Sequence, residues 1–140
     1  MLILVDTNIL LRLVEPSHSQ HQLAAESLQS IREFGYRPVI VPQVVYEFWS
    51  VATRPQAANG LGLNSSAAQT ALDGLLSSLT LLRDERSIFE FWQQIVVEYG
   101  VVGKRAHDAR LVAAMLGHEI SHIVTFNVSD FMRFRADHFG

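Results

Sequence analysis

Three carboxylates interrupt stretches that otherwise read as buried. Asp6 separates "LILV" from "ILLRLV", Glu47 stands in "VVYEFWSV", and Asp108 stands in "AHDARLVAAML". An unpaired charge in apolar surroundings is costly. No lysine or arginine lies within a helical turn of Asp6 or Glu47 to offset it. Two carboxylates at about 4 Å repel by about 4 kcal/mol even at an effective dielectric near 20. If the three converge, a divalent cation relieves that repulsion. Oxygen ligands in a chain without cysteine suit Mg²⁺, or Mn²⁺, better than zinc. Asp6 therefore reads as a metal ligand. Each acid alone has a simpler reading: Asp6 as the cap of the helix behind it, Glu47 as a half-exposed side chain, Asp108 as a charge stabilising its own helix start. Three such interruptions at element ends favour a shared site.

A further polar cluster, Thr125, Asn127, Ser129 and Asp130, follows the apolar run "HIV". Ligands of open parallel sheets bind beyond the carboxyl ends of the strands, where strand order reverses. Asp6 and Asn127 would both stand on that edge, and the helices carrying Glu47 and Asp108 would lean over it.

The elements that must position these groups alternate. Short apolar runs predict strands at Leu2–Val5, Pro38–Val41, Leu79–Leu82 and His122–Phe126. Helices are expected at Asn8–Val14, from a Ser17 cap to Phe34 with Gly35 closing the end, and from Pro42 through "QVVYEFWSVATR". Further helices are expected from a Ser65 or Ser66 cap to Ser78, at Ser87–Tyr99, over "RAHDARLVAAMLG" closed by Gly117, and after Asn127 or Ser129. Strands alternating with helices imply parallel pairing and an α/β fold.

Length and composition set the frame. The 140 residues fit one domain, 1–140, and 49% apolar with 18% charged residues is a globular balance. The absence of cysteine excludes disulfides and thiol chemistry. No secretory leader and no membrane span are expected, and a cytoplasmic location fits. A net charge of −3 argues against a general nucleic-acid coat protein. Lys104 is the one lysine among the eleven basic residues, so placement of the arginines matters more than their sum. "NGLGLN" and "GVVGK" lack the spacing of phosphate-binding loops and read as connections. His18 and His21 lack a nearby carboxylate for a zinc site. Phe48, Trp49, Phe89, Phe91 and Trp92 read as core or partner surface.

The ordered set "LVDTNILL", "VPQVVYEFWSVATRP", "NGLGL", "GVVGKRAHDARLVAAML" and "TFNVSDFMRF" resembles the PIN-domain ribonucleases of the VapC toxin type over nearly the whole chain. The resemblance implies a three-layer α/β domain, with a central, mostly parallel sheet flanked by helices and a last short strand beyond "RADHFG", where this sequence ends. It also implies a Mg²⁺-dependent endoribonuclease that forms half of a toxin–antitoxin pair, with a homodimer and a cognate antitoxin as partners. Asp6, Glu47 and Asp108 fall on the family's acidic positions. The fourth position matches either Asp130 or Asn127.

The expected chemistry is hydrolysis of RNA phosphodiester bonds. Asp6 and Asp108 hold the metal, and Glu47 acts through water or as general base. Thr7, Asn8, Thr125 and Asn127 orient the acids or the phosphate. Whether one metal or two act is open. RNA approaching an acidic cleft needs cations at its rim. Arg12, Lys104 and Arg105 are the first candidates, with Arg54, Arg110, Arg133 and Arg135 behind them. Two rival readings remain. One is an aspartyl phosphotransfer enzyme with Asp6 as nucleophile, which would want a DxD and a well-placed lysine. The other is a non-catalytic PIN-like binding module, expected to lose one or more of the acids.

Overall fold

The computed structural model describes residues 1–138, apart from the side chains of Arg133 and of residues 135–138. Four short strands, β1 (Leu2–Val5), β2 (Arg37–Ile40), β3 (Thr80–Leu81) and β4 (Ile123–Val124), form one sheet in the order β3-β2-β1-β4, and every pairing is parallel. The expectation of a mostly parallel sheet is met by a wholly parallel one. The last two strands are shorter than their apolar runs suggested. Pro38 has no N–H to donate, yet β2 lies inside the sheet; β3 joins β2 only from Val39 onward, past the proline.

Among the described residues seven α-helices flank the sheet: α1 (Thr7–Leu13), α2 (His21–Glu33), α3 (Pro42–Thr53), α4 (Ser65–Ser78), α5 (Arg86–Glu98), α6 (Arg105–Gly117) and α7 (Ser129–His138). Leu4 and Val5 of β1, Val39 and Ile40 of β2, Val44 and Phe48 of α3, and Val112 and Met115 of α6 meet in one core. Residues 111–115 of α6 are all buried, so that helix is apolar around its full circumference where it packs on α5 and α7. Among the described residues no helix is long and apolar enough to cross a membrane.

Several boundaries differ from the sequence reading. Ser17 does not start α2. The Glu15 and His18 carbonyls accept N–H groups from His18 and His21 at 2.9 and 3.0 Å, and those turns consume the residues before His21. The cap of α4 is Asn64, whose side-chain oxygen accepts the Ala67 N–H at 2.8 Å, rather than Ser65 or Ser66. Gly35 closes α2 as expected, at φ +88°. Gly117 does not close α6: it lies within the helix, and Glu119 takes the left-handed turn at φ +57°. A Cβ at Gly117 would stand 3.0 Å from Ile88 Cγ1, so its missing side chain serves the contact with α5.

The connectivity matters most for function. From β1 the chain moves outward to β2 and β3, then returns to the far side of β1 to form β4. Strand order therefore reverses between β1 and β4, and a crevice opens beyond their carboxyl ends. The Leu4 N–H donates to the His122 carbonyl at 3.0 Å and the Asp6 N–H to the Val124 carbonyl at 3.1 Å, which pins the two strands up to the crevice.

Candidate functional site

Asp6 is the first residue beyond β1 and the cap of α1. Its Oδ1 accepts the Thr7 N–H at 2.7 Å, so the simpler capping role is realised. Its second oxygen faces the crevice wall, where Oδ2 accepts the Thr125 hydroxyl at 2.8 Å and the Asn8 amide at 3.4 Å. Asn8 spans the two strand ends: its amide nitrogen also donates to Thr125 Oγ1 at 3.2 Å, and its oxygen accepts the Phe126 N–H at 3.2 Å. Thr125 Oγ1 further accepts the Asn127 N–H at 3.0 Å. Thr7, Asn8 and Thr125 thus orient Asp6. Asn127 supports the same turn with its backbone, and its side chain is exposed.

Glu47 comes from α3. Its Oε1 accepts the Thr7 hydroxyl at 3.2 Å, so neighbouring residues 6 and 7 tie the strand end to both Asp6 and Glu47. Asp108 lies in the first turn of α6 and Asp130 in the first turn of α7. Asp6, Asp108 and Asp130 act on one another's charge, and Glu47 feels that of Asp6. Burial pushes Asp6 above its ordinary value of 3.8, against the hydrogen bonds from Thr125 and Thr7, and the Asp130 charge adds to the rise. Burial likewise raises Glu47, and the charge of Asp6 acts with it. Asp108 is raised first by burial, then by Asp130 and Asp6.

Among the described residues, none of the ion pairs involves Asp6, Glu47 or Asp108. No three acidic or imidazole side chains stand close enough together to hold one ion between them. The expectation that Asp6, Glu47 and Asp108 all reach a single ion is corrected to that extent. The donor set still fits a hard divalent cation: it is all oxygen, negatively charged, partly buried and short of balancing cations. Mg²⁺ is commonly held by one or two carboxylates with water filling its remaining positions.

The rim differs from the sequence reading in two places. Arg12 is paired locally, with Nη1 2.6 Å from Glu15 Oε1 and its buried Nε without a hydrogen-bond partner. Arg105 and Lys104 are exposed, and the Arg105 charge acts on Asp108. His107, the residue before Asp108, is exposed. The structure sets it where its charge acts on both Glu47 and Asp108. Gln43 was also missed. It is 5% exposed, donates to the His107 carbonyl at 2.8 Å and accepts Arg110 Nη1 at 3.0 Å. The signal was present: Gln43 is a polar residue beside an apolar run, as Glu47 is. The side chains of Arg133 and Arg135 lie outside the described residues. Of the aromatics, Phe48 is buried, Phe89 is exposed, and Trp49, Phe91 and Trp92 pack partly against the core.

These raised values fix the sign of a pH dependence. Between the ordinary carboxylate range and the higher folded values, the folded protein keeps protons that the unfolded chain has released. Metal-free stability therefore falls as pH rises through that window and levels off above it. Saturating Mg²⁺ should flatten the fall, because the ion replaces the protons. Melting in EDTA and in Mg²⁺ from about pH 4.5 to 7.5 checks this. Metal-free stability that climbs across the window would mean the acids are better compensated than their burial indicates.

A model of the PIN-domain family matches residues 3–135. A chain of the VapBC2 complex of Rickettsia felis, solved with a promoter DNA fragment, superposes with a TM-score of 0.69 at 16% identity, over 95% of this chain and 92% of that one. A chain of VapBC-1 from nontypeable Haemophilus influenzae gives 0.68 at 19% identity, over 96% and 92%. The Mycobacterium tuberculosis VapC20 toxin, which cleaves the sarcin–ricin loop, gives 0.67 at 18% identity, over 91% and 92%. No curated protein sequence matches significantly.

Proposed function

The chain belongs to the PIN-domain family, and from that premise we propose that residues 1–140 form a single domain acting as a Mg²⁺-dependent endoribonuclease, the toxin of a toxin–antitoxin pair in the cytoplasm. The observation that supports this reading is a buried Asp6 beyond β1, at the reversal of strand order, on which the charges of acids from α3, α6 and α7 bear, with no ion pair to Asp6, Glu47 or Asp108 among the described residues. The toxin and antitoxin parts rest on the fold shared with VapBC chains and on the name of the sarcin–ricin loop cleaving relative.

Asp6 and Asp108 would hold the metal, with Asp130 beside them; Mn²⁺ would serve in its place. When bound, the ion supplies charge neutralisation at the phosphate and a water of lowered pKa. Glu47 does the proton work. Burial raises its affinity for a proton, and hydrogen bonds from Thr7, to Oε1, and from Gln43 hold the carboxylate in place. It takes the proton as the water oxygen bonds to phosphorus and the ribose oxygen departs. Thr125 and Asn8 keep Asp6 from turning away. An aspartyl nucleophile is disfavoured because both Asp6 oxygens are engaged and the residue is 7% exposed.

The homodimer and antitoxin need surface. Phe34, Val97 and Val102 are exposed by 83, 79 and 79% and offer apolar side chain to such partners.

Incubation with single-stranded RNA tests the reading. Cleavage is expected in Mg²⁺, is lost in EDTA, and returns on adding Mg²⁺ or Mn²⁺. Binding without cleavage in any divalent ion would make the chain a binding module, and cleavage undiminished by EDTA would refute the metal role.

A further inference from the structure

Beside Glu47, outside the ring of acids, a groove of about 510 Å³ runs between α3 and α6. Its α3 wall is built from residues 43, 46, 47, 50 and 51, with Arg54 just past the helix end; its α6 wall is built from residues 107 and 110. Glu47 is the one carboxylate in the lining, against two guanidinium groups, Arg54 and Arg110, and the imidazole of His107. Asp84 stands against Arg110 from outside the lining, so Arg54 is the guanidinium that the groove leaves without an ion-pair partner among the described residues.

Both arginines are set in place by the fold. Arg110 is held from two sides: its Nη1 donates to Gln43, itself anchored to the His107 carbonyl, and its Nη2 lies 3.6 Å from Asp84 Oδ2 in a part-exposed ion pair that a phosphate would have to share. Arg54 ends α3 in an extended conformation imposed by Pro55. The loop that follows, "PQAANGLGL", folds back over it. The Gly62 N–H donates to the Arg54 carbonyl at 2.8 Å, and the Leu61 and Leu63 N–H groups donate to Val51 and Ala52 at 3.0 and 2.9 Å. Gly60 passes so near that a Cβ there would lie 2.0 Å from the Arg54 carbonyl oxygen. The glycines of "NGLGL" thus let the loop close on Arg54. Among the described residues Arg54 has no ion-pair partner. Tyr46, one residue before Glu47, leaves its ring 65% exposed at the same groove.

We propose that this groove carries single-stranded RNA on from the scissile bond, with Arg54 and Arg110 on its phosphates and Tyr46 stacked on an unpaired base. The proposal rests on the nuclease reading. The chemistry is that of single-strand binding in general: cations track the backbone while an exposed aromatic face takes any base. Tyr46 and Arg54 lie to either side of Glu47 along the chain and both line the groove.

Fluorescence anisotropy with a labelled single-stranded RNA of mixed sequence, in the cleavage-dead Asp6→Asn background with Mg²⁺, tests it across a salt series. Tyr46→Ala should weaken binding by roughly 5- to 100-fold without changing the salt slope. Arg54→Ala should weaken binding and reduce the slope of log K against log salt by about 0.7, one single-strand phosphate contact, and Arg54→Lys should restore the slope. Arg86→Ala, which removes an exposed cation paired with Glu90, should do neither. In the active protein, Tyr46→Ala and Arg54→Ala should raise KM and leave kcat nearly unchanged. If both leave affinity, slope and KM unchanged while the wild-type chain cleaves RNA, the groove is off the RNA path and the nuclease reading stands. If the wild-type chain cleaves nothing but the variants shift binding as stated, the nuclease reading falls and the groove stands. Neither binding nor cleavage by the wild-type chain overturns both.

Discussion

Asp6→Asn should abolish Mg²⁺-dependent RNA cleavage and leave the metal-free protein as stable as before, or more so. The activity loss follows from the role proposed for Asp6 in holding the ion. Metal stabilisation of the transition state is worth several kcal/mol, and at 1.36 kcal/mol per decade that is a loss of about 10³-fold. The stability side has a different origin. Asp6 is buried, its pKa is raised, and Asp130 and Glu47 share its field, so its ionised form is disfavoured in the fold at neutral pH. Asparagine removes the charge and keeps an oxygen for the Thr7 N–H that caps α1. The Thr125 hydroxyl already accepts from Asn8 and from the Asn127 N–H, so in the variant it loses its acceptor along with the long contact from Asn8, a cost of about 1 kcal/mol set against the relief of charge. Melting in EDTA separates the two roles. A clear drop in the melting temperature of Asp6→Asn would mean that Asp6 is there for the fold, and the loss of cleavage would then say little about a metal.

Produced alone in a bacterial host, the wild-type chain should arrest growth, with colony counts falling by orders of magnitude, and Asp108→Ala should remove the effect. Asp108 stands in the first turn of α6, where Asp6 and Asp130 disfavour its charged form and Arg105 and His107 favour it. Loss of its carboxylate takes away a proposed metal ligand while leaving the buried stretch 111–115 intact. Co-production of the cognate antitoxin should restore growth. An effective antitoxin would seat an arginine among the acids: a planar guanidinium pairs with carboxylates in two-pronged fashion, supplies the missing positive charge and bars the phosphate. If wild-type and Asp108→Ala chains are both well produced and equally harmless in a host without antitoxin, the toxin reading fails. A nuclease with a housekeeping role would then describe the protein better.

Much of this was legible in one dimension. β1 has the bounds its apolar run predicted, and α4 ends at Ser78 as read. Gly35 takes the left-handed turn expected after α2. Apolar runs and glycine-closed helix ends are local signals, because side-chain burial and backbone freedom act over a few residues. The acids were visible for the same reason: a carboxylate inside an apolar run breaks a local rule, and such breaks concentrate at functional sites.

Other features depend on which side chains meet, and spacing along the chain does not encode that. Ser17 has the chemistry of a cap, yet turns through Glu15 and His18 take its place. Gly117 has the chemistry of a helix stop, yet its lack of a side chain is used against Ile88. Arg12 is a cation near the site in sequence, but Glu15 takes it. His107 and Gln43 join the site only because α6 packs where its first turn faces α3. Neighbours in sequence and a composition of 140 residues determined that the chain is an α/β domain with buried acids to explain. The order β3-β2-β1-β4, the hydrogen bond that joins Thr125 to Asp6 across 119 positions, and the groove that begins at Glu47 came only with tertiary structure. Contacts between distant segments follow from the packing of the whole core, a cooperative outcome that no short stretch of the chain contains.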